Sequence, residues 1–122
     1  MKIHFESIDN RHIKEVFYNF FYENCVFFEI IYNDLAIGFY GVKSLSEKIC
    51  EISLYIYEKC RGMFTKEVTL KCLKFPFELG FDKIIIKTEL EKMVKFLSKL
   101  KKYGVKHLFN HSNINLFEVT NG

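Results

Sequence analysis

With 122 residues, 49% of them hydrophobic, the chain has the size and apolar content of one self-supporting domain over positions 1–122, and no Pro- or Gly-rich linker divides it. Its net charge of +3 comes from scattered lysines, which excludes the dense basic block of a nucleic-acid binder, and no apolar run approaches the ~20 residues of a membrane-spanning helix. The densest basic patch, Lys92, Lys95, Lys99, Lys101 and Lys102, reads as a solvated helix face.

The opening MKIHFES lacks a signal peptide's apolar segment, so a cytoplasmic protein is expected. Cys25, Cys50, Cys60 and Cys72 show no C-x-x-C pairing and read as small buried apolar residues of a reducing compartment. Aromatic residues make up 17% of the chain, more than a core of this size needs, so some aromatic surface is expected to face a partner.

Lys2 to Glu6 starts a short strand, after which Ser7, Asp9 and Asn10 offer oxygens to cap a helix. Ile13, Val16, Phe17, Phe20 and Phe21 recur at the spacing of one helical face. Phe17, Tyr18, Phe20, Phe21 and Tyr22 cover more of that helix than one buried stripe, which fits either a large core or a protein interface such as a homodimer. Val26–Tyr32 and Leu35–Val42 read as strands joined by a tight Asn33-Asp34 turn. Gly38 and Gly41 inside the second strand mark a bulge or a close backbone approach.

A polar turn, Lys43 to Lys48, leads to a third antiparallel strand, Ile49–Tyr57, with Cys50, Ile52, Leu54 and Ile56 on its apolar face. The period breaks at Glu58-Lys59-Cys60-Arg61-Gly62 and becomes helical through Phe64, Val68, Cys72, Phe75 and Leu79. A strand, a basic Gly-containing turn and a helix aim free N–H groups and the positive end of the helix dipole at one point, where an anion can sit. Arg61 there is either a phosphate ligand or a solvated turn residue. Pro76 lacks an N–H and is expected to kink or end the helix.

Gly80 stops that helix, and Lys83–Thr88 reads as a buried strand. Glu89 to Tyr103 follows as an amphipathic helix with Leu90, Met93, Val94, Leu97 and Leu100 inward, closed by Gly104. Val105–Phe109 and Ile114–Thr120 form a last hairpin around Asn110-His111-Ser112-Asn113. His107 and His111, four apart but in a strand and its turn, do not share a helical face, so no metal site is expected.

The order of these elements resembles the GNAT fold of acetyl-CoA-dependent N-acetyltransferases: an α/β domain with a mixed central sheet, antiparallel N-terminal strands and flanking helices. ICEISLYI looks like that family's fourth strand, RGMFTKEV like its cofactor loop, and FPFELGFDKIIIKT like the helix end and fifth strand. The resemblance implies a cofactor loop formed by Arg61, Gly62, Met63, Phe64 and Thr65, and Glu51 as a fourth-strand carboxylate acting as base. Glu51 also reads as an ordinary charge on a solvated strand face. The family loop runs Arg/Gln-x-x-Gly-x-Gly/Ala, whereas Phe64 and Lys66 stand at its two glycine positions here. An Asn after the fifth strand and a proton-donating Tyr on the next helix are replaced by Glu89, Leu90, Glu91, Phe96, Leu97 and Leu100.

The C-terminal pattern IIKTELEKMVKFLSKLKKYGVKHL followed by INLFEVTNG looks like the ending of small acetyltransferase-like proteins of short-tailed bacteriophages. That resemblance implies a protein of host cytoplasm with a degenerate cofactor loop, no bound cofactor and no catalysis, contacting other proteins in virion assembly or DNA ejection. The alternatives are an authentic N-acetyltransferase using acetyl-CoA, with Glu51 as base, and a module that holds an acyl-CoA without turnover.

Overall fold

The computed structural model describes residues 2–8 and 25–121. Seven strands, β1 (Ile3–Ile8), β2 (Cys25–Tyr32), β3 (Leu35–Ser44), β4 (Ile49–Ile56), β5 (Lys83–Thr88), β6 (Val105–His111) and β7 (Ile114–Thr120), form one sheet in the order β1-β2-β3-β4-β5-β7-β6. Every neighbouring pair is antiparallel except β4 and β5, which run parallel. A parallel pair needs a crossover. Here it is a 3-10 helix, Glu58–Met63, followed by α1 (Lys66–Glu78). A second helix, α2 (Glu91–Ser98), and a 3-10 turn, Lys101–Tyr103, join β5 to β6.

The helices pack on one face of the sheet. Val68, Cys72 and Leu73 of α1 and Leu97 of α2 meet Tyr40, Val42, Cys50, Ile84, Phe117 and Val119 in one buried cluster. Phe75 of α1 enters a box of rings from the first three strands, stacked on Phe5 at 4.2 Å and edge-on to Phe28 at 4.8 Å and Tyr40 at 6.1 Å. On the opposite face Phe27 and Phe39 bury against Cys25, Tyr55 and Tyr57. The aromatic excess is thus spent on both faces of the sheet. Among the described Phe and Tyr residues only Phe109 is exposed, while Phe17, Tyr18, Phe20, Phe21 and Tyr22, on which an aromatic partner surface was expected, lie outside the described residues. All four cysteines are free thiols.

The hairpin of β2 and β3 has the expected turn, with Asn33 and Asp34 at φ 47° and 69°. The pairing skips Ile37 opposite Ile30 and Ile31, a bulge beside Gly38. A Cβ at Gly38 would collide with the Tyr55 carbonyl, and one at Gly41 would meet the Phe27 ring, so both glycines mark close approaches.

Several boundaries differ from expectation. Ser7 belongs to β1, while the expected helix from Ile13 to Phe21 lies outside the described residues. The basic turn is a 3-10 helix that buries Cys60. α1 starts at Lys66 because Thr65 caps it, its side chain accepting from the Val68 amide, so Phe64 precedes the helix and exposed Leu79 lies past its end. Pro76 does not end α1, which continues to Glu78.

The helix expected over Glu89–Tyr103 is broken into α2 and the 3-10 turn. Thr88 Oγ1 accepts from the Leu90 amide and holds that stretch extended, which leaves Leu90 67% exposed instead of inward. The last hairpin is tighter than expected: His111 is in β6, and Ser112 and Asn113 alone turn the chain at φ 51° and 69°.

Candidate functional site: the cleft between β4 and β5

β4 and β5 pair at only three positions, Ile49 with Lys83, Cys50 with Ile84 and Glu51 with Ile85. Beyond them β4 stays bound to β3 as far as Ile56, and β5 stays bound to β7 as far as Thr88. Each strand follows its outer neighbour, and the sheet's twist carries the two apart. The Lys48 carbonyl, accepting from the amides of Asp82 and Lys83, fixes the closed end. The result is a wedge with Glu51 at its apex and a free edge of β4 along one side.

The cleft has a volume of ≈ 420 Å³. Ile52, Leu54, Ile86, Met93 and Leu97 give it apolar walls, with Thr88, Glu89 and Leu90 on the β5 side. Tyr40, Thr69, Cys72 and Leu73 line it as buried groups from β3 and α1. Their polar atoms are engaged: the Thr69 hydroxyl donates to the Thr65 carbonyl at 3.1 Å, and the Tyr40 hydroxyl to the Cys72 carbonyl at 2.7 Å. Burial, reinforced by Cys72 and Cys50, pushes the Tyr40 phenol well above its ordinary range, and burial pushes the Cys72 thiol up to about 12. Neither ionises near neutral pH.

Of the residues singled out in the sequence, Glu51 and Phe64 line the cleft. Glu51 is not a free surface charge: its carboxylate meets Lys87 Nζ at 3.3 Å, an ion pair from one side of the wedge to the other. Arg61, Gly62 and Met63 lie in the exposed 3-10 turn, with the Arg61 guanidinium 6.0 Å from the Tyr55 ring centroid. Thr65 takes the Val68 amide and its carbonyl accepts from the Thr69 amide, which leaves the Lys66 and Glu67 amides as first-turn donors that α1 itself does not use. Phe96 and Leu100 do not line the cleft; Leu100 is core. Tyr40, Thr69, Cys72 and Lys87 had no signal in the sequence, because nothing in it shows which strand faces lie together.

No family model matches the sequence, and no curated protein matches it. Solved structures do. A chimera of the Vibrio cholerae spermidine N-acetyltransferase SpeG and hSSAT superposes with a TM-score of 0.74 at 11% identity, covering 98% of this chain and 96% of that one. The Campylobacter jejuni N-acetyltransferase PseH in complex with acetyl coenzyme A gives 0.67 at 13% identity, covering 99% and 100%. This chain has the GNAT fold. A domain from Methanocaldococcus jannaschii adds a third likeness, with a TM-score of 0.65 at 19% identity over 98% of each chain. At these identities the likeness establishes the GNAT architecture alone.

Among the described residues no helix is long and apolar enough to cross a membrane, and no three His, Cys, Asp or Glu side chains converge as a metal site requires. His107 Nε2 lies 2.9 Å from Asn115 Oδ1 and its ring stacks on Phe117 at 4.6 Å, which accounts for that imidazole structurally.

Proposed function

We propose that this protein binds an acyl-coenzyme A, acetyl-coenzyme A foremost, in the β4–β5 cleft and passes the acyl group to an amine. The observation that carries this reading is the parting of β4 from β5 after the Glu51/Ile85 pair. It leaves backbone donors and acceptors of β4 without a strand partner, and the amides of a pantetheine arm match them as an added strand would. The bound thioester would supply an acyl group activated towards attack by an amine, the new C–N bond forming as the C–S bond breaks and coenzyme A leaves as a thiolate that takes its proton from solvent.

Glu51, half-buried at the apex, stands where it can accept the proton that an attacking amine loses. Lys87 holds that carboxylate in place. The apolar walls exclude water from the reacting groups. The Lys66 and Glu67 amides, at the positive end of α1, suit the diphosphate. Calorimetry with acetyl-coenzyme A tests the reading. Micromolar binding weakened by Gly62→Trp is expected, with acetyl transfer to an amine lost in Glu51→Gln while binding persists. Absence of binding would overturn it; binding without transfer to any amine would leave a holding module.

A second reading is favoured by Phe64 and Lys66, which stand where an acetyltransferase loop has glycines, and by the phage-like ending. In it the protein acts through protein contacts in virion assembly or as an accessory to DNA ejection. Deleting its gene would then leave particles short of a component, while Glu51→Ala would have no effect.

A further inference from the structure

Across the wedge lies an amine of the protein's own. Lys87 Nζ stands 3.3 Å from Glu51 Oε1, and both residues line the cleft. Their backbones are fixed from outside. Glu51 closes the β4–β5 ladder opposite Ile85 and pairs with Lys43 of β3 on its other side. Lys87, two residues past Ile85 and so on the same face of the sheet, pairs with Leu116 of β7. The lysine therefore reaches over a gap between two strands that no longer hydrogen-bond to each other.

A second ion pair shows what is particular about the first. Lys83 Nζ meets Glu118 Oε1 at 3.4 Å on the same sheet face, but β5 and β7 pair continuously there and neither residue lines the cleft. It is an ordinary cross-strand pair. Lys87 and Glu51 put the same two groups, an amine and a carboxylate able to take its proton, at the point where an acyl chain laid along the free edge of β4 ends. The Lys87 side chain is 52% exposed, so its flexible stem is free to turn Nζ towards a ligand.

We infer that Lys87 Nζ is an acylation site, taking the acyl group from the thioester held in the β4–β5 cleft with Glu51 as its base. This rests on the acyl-coenzyme A reading above and adds an acceptor that the chain itself carries. Glu51 takes one proton from the Lys87 ammonium, and the freed lone pair of Nζ attacks the thioester carbonyl carbon. The C–N bond forms, the C–S bond breaks, and coenzyme A leaves as a thiolate. Nζ gives its second proton to solvent as the adduct collapses, the thiolate takes one from solvent, and Glu51 releases the proton it accepted. The amide carries no charge, so the ion pair ends with the transfer and the site takes one acyl group per chain.

The test is to incubate the full chain with acetyl-coenzyme A, sample it over time and follow acetyl occupancy at each lysine by peptide mass spectrometry. Lys87 should be acetylated at least about tenfold faster than Lys83, at a rate independent of protein concentration, because the reacting groups belong to one chain. Glu51→Gln should slow Lys87 by about a hundredfold and leave Lys83 unchanged. Calorimetry with coenzyme A on the same protein separates the two possible failures. If coenzyme A binds, equal rates at Lys87 and Lys83, or a rate at Lys87 that survives Glu51→Gln, would overturn the acylation site and leave the cleft reading standing. If coenzyme A does not bind, the cleft reading itself has failed and the site falls with it.

Discussion

The hydroxyl of Tyr40 donates to the carbonyl of Cys72 at 2.7 Å in the buried core, supplying the hydrogen bond that Pro76 cannot. In an uninterrupted helix that carbonyl would accept from the amide four residues on, and proline has none. The bond lets α1 run through Pro76 and ties it to β3 beneath the cleft. Tyr40→Phe should therefore cost about 1–3 kcal/mol in urea unfolding, the cost of a buried acceptor left unpaired. Pro76→Ala in that background should recover part of the loss. A cost for Tyr40→Phe within about 0.5 kcal/mol would show that the helix does not depend on this bond.

The buried thiols make stability depend on alkaline pH. Burial raises Cys72 to about 12 and Cys50 to about 11, from an ordinary 9.0. In the unfolded chain these thiols lose their protons first, so the stabilisation is complete below pH 9.0 and is lost as pH rises towards the folded values. Cys72 should contribute a fall of up to about 1.4 kcal/mol per pH unit across that window. Urea unfolding at roughly pH 8 and pH 11 should show the decline, and Cys72→Ala should flatten it; equal slopes in the two proteins would contradict the account.

Two glycines should respond differently to alanine. Gly104 has φ 88°, and a Cβ there would collide with the Thr120 carbonyl, so Gly104→Ala should destabilise by more than about 1 kcal/mol. Gly62 has ordinary φ and open space around it, so Gly62→Ala should stay within about 0.5 kcal/mol of the parent. Thermal unfolding of both variants checks the contrast.

Phe64 lines the cleft and also packs against the main core. Phe64→Gly should tighten acetyl-coenzyme A binding if the ring crowds the ligand, while lowering stability by about 3 kcal/mol or more, as large-to-small changes in packed sites do. Calorimetry paired with urea unfolding separates the two effects. Weaker binding by a variant that remains folded would mean that the ring supports the ligand.

Much of the architecture was legible in residue order. The period of two in Ile49–Ile56, the Asn33-Asp34 turn, the strand Lys83–Thr88, of which only Ile84 is fully buried, and the stops at Gly80 and Gly104 are local, and local rules of backbone sterics and side-chain alternation suffice to place them. Glu51 and Phe64, which line the cleft, stood out because the fourth strand and its loop have a recognisable wording.

What sequence order could not supply was everything that depends on contact between distant segments. Pro76 sits inside a helix because a tyrosine 36 positions earlier reaches its turn, a compensation with no local trace. The helix after β5 starts late because Thr88 accepts from the Leu90 amide, which amphipathic spacing overrides on paper but not in the folded chain. The cleft exists because β4 and β5 each follow a different outer partner in a twisting sheet. Lys87 and Glu51, and Lys66 and Lys102 around Tyr103, become neighbours only in that sheet and its crossover. Periodicity determines which side of a strand or helix a residue takes; only the packed tertiary structure decides what it meets there, because register and twist are collective properties of the whole sheet.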